Sequence, residues 1–386
     1  MAQIYDTLII GAGIAGASLG YRLAGQGRVL LLEREMQPGY HATGRSAAMF
    51  MEAYGTPQIQ ALTRASRAFY EHPPEGFCEH PLLEPRGCLY VASTEQRELL
   101  ETTYAQNLAN GTDVSLLDRE GALALVPSLR EGILAGAVHE PGAMDLDVHA
   151  LHQGFLRGYR AAGGELRCNA ELARAYRLDD LWEVELADGS HLQARQLVNA
   201  AGAWADQVAE LCGVAKVGLQ PCRRSAFTFP GPDGQDFSRW PAVIGVDESF
   251  YFKPDAGQLL GSPANADPVE PQDAAPEELD VALGIYNIEA MTTLHIRRPN
   301  HSWAGLRSFV ADGDLVIGFD PRTPAFFWLA AQGGYGIQSA AGASRLAADL
   351  LLGVPLCPSL VAQGVSPERL SPGRFSTTVI GDSHEQ

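Results

Sequence analysis

The stretch Thr7-Leu8-Ile9-Ile10-Gly11-Ala12-Gly13-Ile14-Ala15-Gly16 decides the fold. Its apolar residues over 6–10 predict a buried strand. Residues 11–16 match G-x-G-x-x-G directly after that strand and at the opening of a helix over 15–25. A second apolar strand over 28–33 completes a βαβ unit and ends on Glu33. Gly11 permits the tight turn, Gly13 lets the backbone approach a pyrophosphate, and Gly16 permits close helix–strand packing. The helix start supplies amides and partial positive charge, and Glu33 is placed to bind ribose hydroxyls. A glycine turn alone has a purely structural reading; strand, helix and acid together point to a bound dinucleotide. The motif does not separate FAD from NAD, because both contain an ADP half.

Outward from this unit, the 386 residues are long for one core, so two associated domains are expected. With 28 basic against 46 acidic residues the formal charge is -18, which repels polyanions and argues against a nucleic-acid partner. No apolar run is long enough to span a bilayer, and residues 1–20 lack the charged-then-apolar pattern of a leader. The six cysteines are scattered without a C-x-x-C pair, which fits neither a disulfide scaffold nor structural zinc. These features together predict a cytoplasmic protein.

Helical spacing predicts a helix over 58–70, and a strand over 87–91 followed by a helix over 95–109 begins a second domain. Asp147 reads as the N-cap of a helix that Gly163 and Gly164 stop. A hairpin turns at Asp188-Gly189 between strands 182–186 and 191–193. The strand 196–200 and Gly202 then repeat the strand–Gly–helix theme of the N-terminus. Strands at 225–229, 249–253 and 305–309, with a helix over 276–290, predict a sheet-rich unit. Residues 264–276 read as an exposed loop. A strand over 326–331, the turn 332–336 and a helix over 337–352 close the fold, with a loose tail beyond Pro372.

Two further segments favour flavin. Thr43-Gly44-Arg45-Ser46-Ala47-Ala48 offers small residues and amides that can approach an isoalloxazine ring. Val198-Asn199-Ala200-Ala201-Gly202-Ala203-Trp204 can bring a strand end back to the cofactor. With Gln332-Gly333-Gly334-Tyr335-Gly336-Ile337-Gln338, these motifs resemble the D-amino-acid oxidase superfamily of flavoproteins, more closely its D-arginine dehydrogenase branch. The resemblance covers nearly the whole chain, including 39–48, 53–58, 253–257, 261–268, 303–315 and 330–338.

The resemblance implies an α/β fold with an α+β substrate domain: a Rossmann-like FAD-binding domain (1–80, 145–218 and 311–375) interleaved with a mixed-sheet substrate domain (81–144 and 219–310), and a tail, 376–386. It implies non-covalent FAD held by Gly11, Gly13, Ala15, Gly16, Glu33, Arg34, Gly44, Arg45, Ser46, Ala47, Ala48, Ala201, Gly202, Trp204, Gly333, Gly334, Tyr335, Gly336 and Ile337. In the family a D-amino acid loses hydride from Cα to flavin N5, and the imine hydrolyses to a 2-oxo acid and ammonia. The implied electron acceptor is a quinone or another acceptor used in preference to oxygen. Carried over by position, Arg224 and Arg307 hold the substrate carboxylate, Tyr251 assists, Tyr54 sits on a lid-like loop, and the Gly305 carbonyl accepts from the amino group. A guanidinium grips a carboxylate bidentately, which agrees with that assignment.

Two positions depart from the branch. Cys88 stands where D-arginine-preferring members carry a glutamate, and Met49 where they carry a histidine. A cationic side chain buried without a partner is costly, so the expected substrates are neutral or apolar D-amino acids. Glu52 and Glu84 are the acids close enough in sequence to restore a cation site. The proton acceptor stays open among Tyr54, Tyr251 and water. His149 and His152, three apart on one helix, read as a helix face rather than metal ligands, and no metal is expected. Open alternatives are N-methyl amino acids or 2-hydroxy acids as substrates, nicotinamide in place of flavin, and a flavin-binding protein without activity.

Overall fold

The computed structural model describes residues 4–375. The tail expected over 376–386 lies outside them. The N-terminal unit forms as expected: strand Ile4–Ile10, helix Ile14–Leu23 and strand Val29–Leu32. Strand Ile4–Ile10 pairs in parallel with Val29–Leu32 on one side and with His191–Asn199 on the other. All four side chains of Val29–Leu32 are buried, the pattern of a parallel strand covered on both faces.

This first sheet has eight strands and also takes in Glu165–Arg167, the Leu172–Leu178 and Leu181–Leu186 hairpin, Val316–Phe319 and Phe326–Ala330. The segments 191–193 and 196–200, read separately in the sequence, are one nine-residue strand. Its first half pairs antiparallel with Leu181–Leu186, and its second half runs parallel with Phe326–Ala330. Asp147 caps helix Val148–Ala161 by accepting from the Ala150 amide at 2.8 Å. That helix crosses Ile14–Leu23 closely. Gly158 lies against the Tyr21 ring and Gly20 against Tyr159, while the Tyr159 hydroxyl lies within hydrogen-bond distance of the Val29 and Glu165 carbonyls and shares its one proton between them.

The second sheet has nine strands and draws on Cys88–Ser93, Ser115–Leu117 and Leu134–Glu140, then on six strands between 220 and 309. Strands Gln220–Phe229 and His301–Phe309 are its longest pair, antiparallel over their whole length. Helix Glu278–Met291 covers one face, with Ile288 packed among Phe227, Phe229 and Phe252. The opposite face turns toward the first sheet, and the cleft lies between them. The helix expected over 337–352 spans Ala340–Leu352, starting three residues later, and the short helices Pro358–Ala362 and Pro367–Leu370 follow it. Residues 335–339 form turns instead, with Tyr335 N–H on Gln332 O and Ser339 N–H on Tyr335 O.

Candidate active site

An elongated cleft runs from the glycine turn to the long antiparallel pair. At one end Gly11 has φ +101°, and a Cβ there would overlap the Ala200 carbonyl; a Cβ on Gly16 would overlap the Gly11 carbonyl. Only glycine lets these backbones meet. The N-cap of helix Ile14–Leu23 is Gly13, which has no side chain of its own to cap it, and the helix's positive end faces the cleft. Thr43 shapes that end by accepting the Ile14 amide at 3.0 Å. His152 Nε2 lies 2.9 Å from the Ala12 carbonyl. A carbonyl only accepts, so this nitrogen carries the proton. Burial lowers the His152 pKa and favours that neutral form.

Glu33 is 7% exposed and lines the cleft. One of its oxygens accepts the Ala12 amide at 3.1 Å, the other the Glu35 amide at 3.0 Å. Burial raises its pKa against these two bonds. Farther out, the Trp204 ring packs at a tilt against His41 with centroids 4.5 Å apart, and the Arg34 guanidinium lies 5.0 Å from the same indole. A helix N-terminus that starts on glycine, a buried acid at the end of the second strand and an aromatic rim fit the pyrophosphate, ribose and adenine of an ADP group.

The segment 42–45 docks this end onto the second sheet. Arg45 donates to the Ala274 and Ala304 carbonyls and pairs with Asp273, while Trp303 Nε1 donates to Arg45 O. The loop 264–276, expected to be exposed, thus carries contacts at the cleft edge. Its Asn265 carbonyl accepts from Arg224 Nε at 2.7 Å.

At the other end of the cleft the pairing register is decisive. Arg224 lies opposite Gly305, and Cys222 opposite Arg307. Side chains two apart on a strand share a face, so Arg224, Gly305 and Arg307 all look into the cleft, which they line. Among the described residues neither arginine has a carboxylate partner. Burial and the neighbouring Arg307 lower the Arg224 pKa. Burial also opposes the Arg307 charge, but the phenols of Tyr54 and Tyr251 outweigh it and hold that pKa up. Two close guanidinium groups with no acid ion-paired to either make a place where a bound anion relieves mutual repulsion, although Glu248 acts on Arg224 from a distance. Arg307 also donates to Tyr54 Oη at 3.2 Å, and the Tyr54 ring packs 4.8 Å from Tyr335. Gly334 lies against Arg307; a Cβ there would come within 2.5 Å of its Nη1.

A smaller chamber opens beyond the arginines, sharing Ser46, Arg224, Tyr251, Gly334 and Ile337 with the cleft. Ala47, Ala48, Met49 and Tyr54 line it, with Met51, Ala242 and Ile244. Ala15, Ala201, Gly202, Gly305, Gly333 and Gly336 line the main cleft. Four expected residues line neither space: Gly16, Gly44, Tyr335 and Cys88. Cys88 is wholly buried behind the chamber wall, and burial drives its thiol pKa well up. Glu52 does not reach the chamber because it pairs with Arg67 at 2.7 Å, and Glu84 lines a separate surface cavity. The acid that does line the chamber is Glu248, at φ +55°. The sequence reading missed Glu248, Thr43, His152, Asn265 and Gln338. Thr43 lies inside the quoted segment 43–48, and His152 inside a pattern weighed only for metal binding.

Comparisons with known proteins agree with this architecture. The family described as FAD dependent oxidoreductase, DAO, matches residues 6–350. FAD-dependent oxidoreductase domain-containing protein 1 of Bos taurus is 24% identical over 403 residues, covering 90% of this chain and 81% of that protein. Mitochondrial dimethylglycine dehydrogenase of Rattus norvegicus is 28% identical over 269 residues, 67% of this chain and 30% of that protein. Among solved structures, glycine oxidase from Geobacillus kaustophilus superposes with a TM-score of 0.82 at 23% identity, covering 98% of this chain and 100% of that one. Among the described residues no helix is long and apolar enough to cross a membrane.

Proposed function

Because the chain belongs to the DAO family of FAD dependent oxidoreductases, we propose that it deaminates D-amino acids with neutral or apolar side chains to 2-oxo acids and ammonia. The observation that carries this reading is the pair Arg224 and Arg307, set on one face of the sheet, open to the cleft and without an acidic partner. FAD, when bound, supplies the acceptor for the Cα hydride. The rest falls to the chain. Arg224 and Arg307 grip the carboxylate, with the Tyr54 and Tyr251 phenols beside it. The Gly305 carbonyl receives an N–H of the amino group, so one face of Cα is presented to the ring. A phenol is a poor base at neutral pH, so the ammonium proton passes to water. Met49, Met51, Ala242 and Ile244 give the inner chamber an apolar lining, which supports a neutral side chain; besides Arg224, its charged residues are Glu248 and Lys253, the latter paired with Asp145.

The D configuration rests on the resemblance to the D-arginine dehydrogenase branch. The similarity to dimethylglycine dehydrogenase supports a second reading, an N-methyl amino acid held by the same clamp. In the same proposal, residues 1–80, 145–218 and 311–375 form the FAD-binding domain, and electrons leave to a quinone-like acceptor rather than oxygen. Six free thiols favour a reducing, cytoplasmic setting. Product analysis with an artificial acceptor tests the reading. D-alanine, D-valine and D-methionine should each give ammonia and the matching 2-oxo acid in equal amounts. Turnover of sarcosine alone, with release of formaldehyde or methylamine, would favour the second reading.

A further inference from the structure

Strand Leu134–Glu140 ends on a carboxylate that is only 2% exposed. Glu140 Oε1 accepts the Glu52 amide at 2.6 Å and the Ala53 amide at 3.3 Å. Its Oε2 is buried without a partner, as is the hydroxyl of Tyr90 on the adjoining strand. The nearest cation, Arg67, is engaged by Glu52, Glu71 and the Gly142 carbonyl. Burial brings the Glu140 pKa up to about 7 despite the two amides. A buried carboxylate held this way costs stability, so what it holds matters.

Its two amides belong to the turn that carries Tyr54 to Arg307. The other side chains that hold the backbone of that turn are neutral. Gln60 Nε2 donates to the Ala53 and Gly55 carbonyls at 3.0 and 3.1 Å. Gln338 accepts the Met51 amide and donates to the Tyr54 carbonyl, each at 3.4 Å. Among the described residues Glu140 is therefore the ionisable group hydrogen-bonded to the backbone of a turn whose tip completes the arginine clamp, while Arg67 and Asp314 hold its Glu52 and Thr56 side chains.

We infer that Glu140 is a positioning residue: its carboxylate fixes the Glu52–Ala53 backbone and through it the Tyr54–Arg307 contact, so capture of a substrate carboxylate is tightest with Glu140 ionised. This rests on the clamp proposed above. The groups around Glu140 leave it as the one that titrates near neutrality. Glu52 is ion-paired with Arg67, and burial holds the Cys88 thiol and Tyr90 phenol protonated. Tyr54, Tyr104 and Tyr251 are the remaining phenols of the cluster. His139, the next residue on the strand, faces the other side.

The test is calorimetric titration of the FAD-loaded protein with propanoate between pH 6 and 8.5, which reads the clamp without turnover. In the unmodified protein, affinity should fall about three- to tenfold as pH drops through 7, the worth of one hydrogen bond. Glu140→Gln keeps the accepting oxygen and removes the charge, so its affinity should stay at the low-pH level throughout. Tyr54→Phe should lose the pH step, and Glu140→Gln should add nothing in that background. A pH-independent affinity in the unmodified protein, a step that survives Glu140→Gln, or equal losses with and without Tyr54 would each overturn the role of Glu140 alone. No propanoate binding at any pH would overturn the clamp itself and Glu140's role with it.

Discussion

Arg224 and Arg307 come from strands whose sequence positions are far apart, yet the antiparallel register sets them diagonally on one sheet face, Arg224 across from Gly305 and Arg307 across from Cys222. The proposed carboxylate clamp is thus a product of strand pairing, and the turn at 51–56 supplies only Tyr54.

Arg307→Lys retains the charge but loses the planar fork that matches a carboxylate. Small-carboxylate binding should weaken by about 30-fold or more (~2 kcal/mol), with flavin content unchanged. Titration of the purified variant with propanoate, alongside its absorbance spectrum, checks both parts.

Gly11→Ala puts a Cβ into the Ala200 carbonyl at a backbone angle, φ +101°, that alanine rarely adopts. The variant should be purified without flavin or fail to accumulate. Glu33→Gln, which keeps the shape, should fold and bind FAD more weakly by about tenfold, the worth of a charge-assisted hydrogen bond. The flavin-to-protein ratio after extensive dialysis distinguishes these outcomes.

His152 holds the Ala12 carbonyl in its neutral form, and burial depresses its pKa in the fold. The unfolded chain then takes up a proton more readily, so this stabilisation is present above the ordinary histidine pKa and is lost as pH falls through the depressed one. His152→Ala should cost about 1 kcal/mol at pH 7.5 and less under acid. Thermal unfolding of both proteins from pH 5 to 8 reads the difference.

The legible parts of this chain were those whose signal is local. The glycine turn, Glu33 and the Asp147 cap could be read because each is a short-range pattern with one backbone solution. The strand His191–Asn199 was split in two because Arg195 interrupts its apolar run. Strand Gln220–Phe229 was read five residues short because Arg223 and Arg224 look like surface residues until a cleft accounts for them. The apolar Ile337 continues the pattern of helix Ala340–Leu352 in the sequence, whereas Gln338 is spent on the Tyr54 turn. Glu140 and Glu248 carried no local signal. Their proximity to the chamber depends on pairings between distant segments, and nearness in sequence pointed to Glu52 and Glu84 instead.

Ile244 projects into the inner chamber beside Met49 and Met51. Ile244→Ala should enlarge it and shift the ratio of kcat/KM for D-methionine over D-alanine upward by about tenfold, the usual worth of a methylene or two in an apolar pocket. Stability should fall by about 2 kcal/mol or more. Rates with the two substrates, measured well below unfolding, check the shift.

The most direct measurement is anaerobic mixing of the FAD-loaded protein with D-amino acids, L-amino acids, sarcosine and 2-hydroxy acids, following loss of the oxidised-flavin absorbance. Rapid bleaching by neutral D-amino acids, abolished in Arg224→Ala and Arg307→Ala, is the expected result. Bleaching by 2-hydroxy acids or N-methyl substrates alone, or bleaching that survives loss of both arginines, would contradict it.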